Sequence, residues 1–85
     1  MGRLSLSELL LAKELDIMRK AGDVATNREL FYLMKEHGKY AFTSQEACDA
    51  ALARLVRLGK ADPHCILPDR EFPFSAELKA ALDGP

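Results

Sequence analysis

Paired signals for helix starts and stops are the sequence feature that most constrains the fold of this chain. A hydroxyl residue is followed three positions later by glutamate in Ser5–Glu8, in Thr26–Glu29 and in Thr43–Glu46. Such a pair favours a helix start, because the hydroxyl accepts the amide of the glutamate while the carboxylate accepts the amide of the capping residue. Each apolar stretch that follows ends near a glycine suited to a left-handed closing conformation: Gly22, Gly38 and Gly59. The pattern therefore predicts three helices.

Apolar periodicity, turn residues and a further cap predict the elements of a single domain, residues 1–85. Apolar residues recur with a period near 3.6 over about residues 6–21, 27–37 and 44–58, which we take as the helices. Beyond Asp62-Pro63, residues 64–67 and 71–74 are expected to form a β-ribbon of about residues 64–74, with Pro68-Asp69 in its turn. Pro73 confines the second strand to a sheet edge. Ser75 then caps a short last helix, about residues 76–82.

Composition and hydropathy favour a cytoplasmic protein that does not enter the membrane. Hydrophobic residues make up 48% of the 85 positions and charged residues 29%. Apolar runs such as Leu9–Ala12 are far shorter than the ~20 residues of a membrane-spanning helix. The N-terminus lacks the basic-then-apolar pattern of a signal peptide. In the cytoplasm Cys48 and Cys65 are expected to remain thiols.

The order helix, helix, helix, two-stranded ribbon resembles the winged helix-turn-helix superfamily. The densest resemblance lies in ACDAALARLVRLGKAD, residues 47–62. There an Ala-Leu pair is followed by a further leucine, then a glycine, and then a small residue that leads into the wing. Residues 23–38, DVATNRELFYLMKEHG, look like the first turn and second helix of that family. The resemblance implies a mainly α fold: a three-helix winged helix-turn-helix with a short C-terminal β-ribbon and a short last helix. It also implies a sequence-specific, DNA-binding transcriptional regulator.

In that family the third helix lies in the major groove of duplex DNA. The resemblance implies base contacts from the start and outer face of helix 3, at Ser44, Gln45, Arg54 and Arg57. It implies backbone contacts from Arg28, Lys35, Lys39, Tyr40, Lys60 and Arg70. The same outer face is predicted to carry Glu46, Asp49, Ala50 and Ala53. The two carboxylates there oppose DNA binding, because they repel phosphates.

The charge distribution leaves a second function open. The formal net charge is −1, with +2 on residues 1–60 and −3 on residues 61–85. A domain that is not strongly basic also fits a winged-helix-like protein–protein interaction module, an adaptor or inhibitor that does not bind DNA. Helix 1 has more leucines than one buried stripe needs, which predicts a homodimer interface at Leu6, Leu10, Leu11, Leu15 and Met18. The alternative is that the last helix folds back over helix 1.

The sequence predicts no enzyme, no metal site and no cofactor. Its potential metal ligands, His37, Cys48, His64 and Cys65, form no Cys-x₂-Cys or His-x₃-His pair. His64 and Cys65 are neighbours on an expected strand, so their side chains would point to opposite faces. Cys48 is expected in the core, and the carboxylates have capping or ion-pairing roles. No glycine-rich loop suited to phosphate is present.

Overall fold

The computed structural model describes residues 3–84 and is mainly helical, as predicted. Its α-helices are α1 (Leu6–Ala21), α2 (Asn27–Lys35), α3 (Gln45–Arg57) and α4 (Ala76–Asp83). Two short strands, β1 (Ala25–Thr26) and β2 (Ile66–Leu67), and two 3₁₀ turns, Gly38–Tyr40 and Pro63–Cys65, connect them. The helices begin and end within two residues of the ranges expected from the sequence.

Local side-chain caps explain where the helices begin. The Ser5 hydroxyl accepts the Glu8 backbone amide at 3.1 Å, and the Ser5 backbone amide donates to the Glu8 carboxylate at 2.8 Å. Thr26 and Glu29 form the same reciprocal pair. The third predicted capping box is wrong, since Ser44 rather than Thr43 caps α3 and accepts the amide of Ala47. The start of α3 is therefore one residue later than the Thr43 pattern indicated.

The predicted β-ribbon over residues 64–74 is replaced by a different pairing. β2 lies parallel to β1, with Ala25 opposite Ile66 and Thr26 opposite Leu67. Residues 71–74 form no strand, because the Asp69 carboxylate accepts the amides of Glu71 and Phe72, at 2.9 and 3.0 Å. Those amides are thus unavailable for pairing with β2, and Pro73 has no amide to donate.

The core lies between α3 and the three helices around it. α4 packs against α3 and buries Leu78 completely. This arrangement corrects the predicted outer face of α3, where Asp49 is only 2% exposed and Ala53 is fully buried. It also shows the last helix packing mainly against α3 and not over α1. One face of α3 is therefore inaccessible to any partner.

The leucines of α1 divide between core and surface differently from the predicted dimer interface. Leu11 and Leu15 are buried in the core of the chain itself, so they are not available to a second copy. Leu10 and Met18 are partly buried against the same core. Of the predicted interface residues, Leu6 alone is more than half exposed. Other apolar side chains of α1 reach solvent as well: Leu9 and Ile17. Within residues 3–84 no helix is long and apolar enough to cross a membrane.

Candidate nucleic-acid interface

A buried polar network joins the first turns of α2 and α3 to the loop before α4. Asn27 is fully buried, and its side-chain amide donates to both Asp49 carboxylate oxygens at 3.1 and 3.3 Å. The Asp49 carboxylate also accepts the Gln45 side-chain amide and the Ser75 backbone amide, each at 3.0 Å. A buried carboxylate needs such donors, because it has lost its hydration shell. The network therefore fixes the relative positions of these three segments.

The same asparagine holds the loop that carries Phe72. The Asn27 amide donates to the Phe72 carbonyl, and its own side-chain oxygen accepts the Asp69 amide, both at 3.1 Å. Residues 68–75, which we call the C-terminal loop, are thereby fastened against the start of α2. The Phe72 side chain, 38% exposed, then lies beside Arg28.

Arg28 lies against aromatic rings at the surface. Its guanidinium carbon lies 3.8 Å from the centroid of the Phe72 ring and 4.6 Å from that of Tyr32. One terminal nitrogen donates to the Tyr32 hydroxyl at 2.7 Å, and the other donates more weakly to the Gln45 side-chain oxygen at 3.4 Å. Cation–π contacts of this kind are worth about 0.5–2 kcal/mol, depending on exposure. Arg28 is therefore held in place while keeping its positive charge.

Two lysines extend this positive surface. Arg28, Tyr32 and Lys35 lie on one face of α2, because their spacings are four and three residues. The Lys35 ammonium lies 5.0 Å from the Tyr32 ring centroid, and Lys39, in the following 3₁₀ turn, lies 5.2 Å from the Tyr40 ring centroid. Within residues 3–84, none of these three cations forms an ion pair with a carboxylate. We call this surface, formed by Arg28, Tyr32, Lys35, Lys39 and Tyr40, the basic face.

The two arginines predicted on helix 3 lie elsewhere and are engaged with carboxylates. Arg54 lies 3.5 Å from the Glu8 carboxylate of α1 and donates to the Arg3 carbonyl at 3.3 Å. Arg57 lies 3.5 Å from the Glu77 carboxylate of α4. These pairs reduce the local positive charge. The exposed strip of α3 is therefore electrostatically different from the basic face.

The other predicted DNA contacts are also dispersed. The Ser44 hydroxyl is used in capping α3, and Gln45 is bound to Arg28, to Asp49 and to the Asn27 carbonyl. Lys60 lies in a groove beside α1, away from Arg28. Arg70 is exposed and lines a surface groove of about 550 Å³ together with Arg28, Tyr32 and Phe72, and the carboxylates Asp69 and Glu71 line the same groove. Arg28 and Arg70 therefore share one groove, and Lys35 lies further along the same face of α2.

Sequence reasoning missed Asn27, Tyr32 and Phe72 as contributors to this surface. Arg28 and Tyr32 are four residues apart on a predicted helix, and this spacing was a signal that could have identified their contact. No local signal connects Phe72 to Arg28, since the contact spans 44 residues and depends on the fold of the C-terminal loop. Asn27 looked like an ordinary residue in the first turn of a helix.

The cysteines and histidines do not gather into a site in the described part of the chain. Within residues 3–84, no three His, Cys, Asp or Glu side chains are grouped so as to hold a metal ion. Burial, with a smaller contribution from the nearby Asp49 charge, raises the pKa of the Cys48 thiol to about 12. Cys48 is therefore protonated at neutral pH and packs as a small apolar residue. Its position matches the core placement expected from the sequence.

Comparison of the chain with protein-family models, with curated proteins and with solved structures gives no significant match. The function proposed for this surface rests on its geometry and charge.

Proposed function

We propose that this chain is a cytoplasmic, sequence-specific DNA-binding transcriptional regulator, which contacts the duplex backbone through the basic face. The observation that carries the proposal is that Arg28, Lys35 and Lys39 each lie against a tyrosine ring and have no carboxylate ion pair within residues 3–84. Lys and Arg side chains bind DNA phosphates and release condensed counterions, which drives association. The proposal assigns the chain no catalysis and no cofactor.

The geometry favours an approach in which DNA meets the start of α3 and not its whole length. Gln45, next to the capping residue Ser44, contacts Arg28, whereas Ala53 further along α3 is fully buried. The first-turn residue Glu46 is exposed and unfavourable for phosphate. In this proposal the basic face positions the protein on the backbone, and the N-terminal end of α3 lies nearest to the bases.

Reversing the charge of two lysines on the basic face tests the proposal. We expect the double substitution Lys35→Glu and Lys39→Glu to raise the Kd for duplex DNA by at least about tenfold and to reduce the salt slope by about two. Fluorescence anisotropy with a labelled random duplex, across a series from about 50 to 200 mM salt, measures both quantities. Selection from a random duplex pool then tests sequence specificity.

The matched control reverses Lys13 and Lys79, two exposed lysines on α1 and α4. It changes the net charge of the protein by the same amount as the test variant, so general electrostatic repulsion affects both equally. We expect the control to bind DNA much more tightly than the test variant. Equal affinities for the two variants, or no binding by the wild type at the lowest salt, would contradict the proposal.

A homodimer is part of this proposal, because a single small module rarely covers a specific DNA site. Within residues 3–84, the half-exposed apolar side chains that α1 offers to a second copy are Leu6, Leu9 and Ile17, at 56%, 49% and 52% exposure. We expect Ile17→Lys to shift the sedimentation coefficient from dimer to monomer without changing the circular dichroism spectrum. A wild-type chain that sediments as a monomer at high concentration would rule out this part of the proposal.

The same apolar side chains favour the second candidate function, a protein–protein interaction module that does not bind DNA. Exposed apolar side chains grouped on one helix are typical of interaction sites. The two functions are separated by combining the experiments above. Loss of a protein complex in Ile17→Lys, together with absence of DNA binding by the wild type, would favour the interaction module.

A further inference from the structure

The C-terminal loop is fastened at several points to the start of α2 and α3. Asn27 binds it at Phe72 and Asp69, and Asp49 binds it at Ser75. Inside the loop, the Asp69 carboxylate accepts the amides of Glu71 and Phe72. These bonds leave the loop little conformational freedom, and their combined effect is to place the ring of Phe72 over the Arg28 guanidinium at 3.8 Å.

The stacked arrangement leaves Arg28 able to bind an anion. A guanidinium has five N–H donors, and the side-chain bonds to Tyr32 and Gln45 use two of them. Ring faces stabilise the cation without consuming any donor, because they interact with its charge. The remaining donors lie in the guanidinium plane, beside the rings of Phe72 and Tyr32.

We propose that Phe72 is a positioning residue for DNA binding, whose ring holds the Arg28 guanidinium against Tyr32 in the orientation that meets a backbone phosphate. This inference rests on the function proposed above and deepens it. Arginine loses rotamer freedom when it binds a phosphate, so holding it in the bound orientation beforehand removes part of that cost. Phe72 carries no charge and makes its contribution only through Arg28.

Two substitutions at Phe72 distinguish the effect of its aromatic ring from the effect of its apolar volume. Phe72→Leu keeps a large apolar side chain but removes the π face, whereas Phe72→Tyr keeps the face. We expect Phe72→Leu to raise the Kd for the random duplex about three- to tenfold, and Phe72→Tyr to bind like the wild type. Thermal unfolding followed by circular dichroism checks that both variants are folded, which is expected because Phe72 is partly exposed.

The stack itself is measured without DNA. Ring currents from Phe72 and Tyr32 are expected to shift the Arg28 side-chain protons upfield in the NMR spectrum, and the shift should shrink in Phe72→Leu and persist in Phe72→Tyr. A loss of this shift in Phe72→Leu with DNA affinity unchanged would overturn the inference and leave the basic face intact. Wild-type affinity in the Lys35→Glu and Lys39→Glu variant would overturn the proposed function first, and the positioning role with it.

Discussion

Replacing Asp49 with alanine is expected to lower the free energy of unfolding by about 2–4 kcal/mol, because three hydrogen-bond donors lose their acceptor. The Asn27 side-chain amide is the most costly of the three, since Asn27 is fully buried and water does not reach it. The Ser75 amide and the Gln45 side-chain amide also lose their bonds to Asp49. Chemical denaturation followed by circular dichroism measures the change.

Asp49→Asn tests the hydrogen bonds more specifically than alanine does, because the asparagine side chain has nearly the same shape as aspartate. Its amide group keeps one accepting oxygen and replaces the other with an NH₂ donor, so at least one donor that binds Asp49 loses its acceptor while the volume is retained. We expect a smaller cost than for alanine, about 1–3 kcal/mol. The matched control is Glu46→Ala, an exposed acid on the same helix, which is expected to cost about 0.5 kcal/mol.

Limited proteolysis is a second measurement, and it reports directly on how well the C-terminal loop is held in place. Because Asp49 and Asn27 fasten this loop, Asp49→Ala should expose the bond after Arg70 to trypsin more often than in the wild type. Cleavage there should accelerate more than cleavage after Lys13, which lies within α1. If Asp49→Ala were as stable and as resistant as the wild type, the network would not be what holds the loop.

Truncating Leu15 to alanine is the other large expected effect, a loss of about 2–5 kcal/mol in the free energy of unfolding. Leu15 is 1% exposed in the core, so the substitution removes apolar burial and leaves a cavity. Ile17→Ala, two positions away and 52% exposed, is the matched control and is expected to cost less than about 1 kcal/mol in the monomer.

Protein concentration links this comparison to the proposed homodimer. If Ile17 lies in a dimer interface, its truncation destabilises the protein more at high concentration, since association stabilises the folded state. The cost of Leu15→Ala should not depend on concentration in this way. Equal costs for Leu15 and Ile17 in dilute solution would contradict the division of α1 into a core side and a solvent side.

The helices could be predicted from sequence because their signals are local. A cap such as Ser5 with Glu8 joins residues three apart, so the pattern carries most of the information that determines the start. The displaced start of α3 shows the precision of this reasoning, since Thr43 and Ser44 are both capable caps and it is Ser44 whose hydroxyl accepts the Ala47 amide. The positive charge of Arg28, Lys35 and Lys39 was likewise visible in the sequence.

The β-ribbon could not be predicted correctly, because strand pairing depends on distant residues. Ile66 and Leu67 do form a strand, but β1 lies beside it through contacts 41 residues apart in the chain. The residues expected to return as the second strand instead donate their amides to Asp69. The turn signal at Pro68-Asp69 is compatible both with a returning strand and with the loop that is observed, so the sequence pattern alone did not distinguish the two.

By itself, the sequence determined where helices begin and end to within two residues, and that its apolar residues suffice for one small core. Which faces those helices bury was decided only by the tertiary structure. Asp49 looked like an outward-facing acid until Asn27 of α2 and Ser75 before α4 met its carboxylate, and Leu15 looked available to a partner until the core enclosed it. The physical reason is that periodicity defines an apolar arc on one helix, whereas burial depends on which neighbour packs against that arc and on the buried donors, such as Asn27, that meet it.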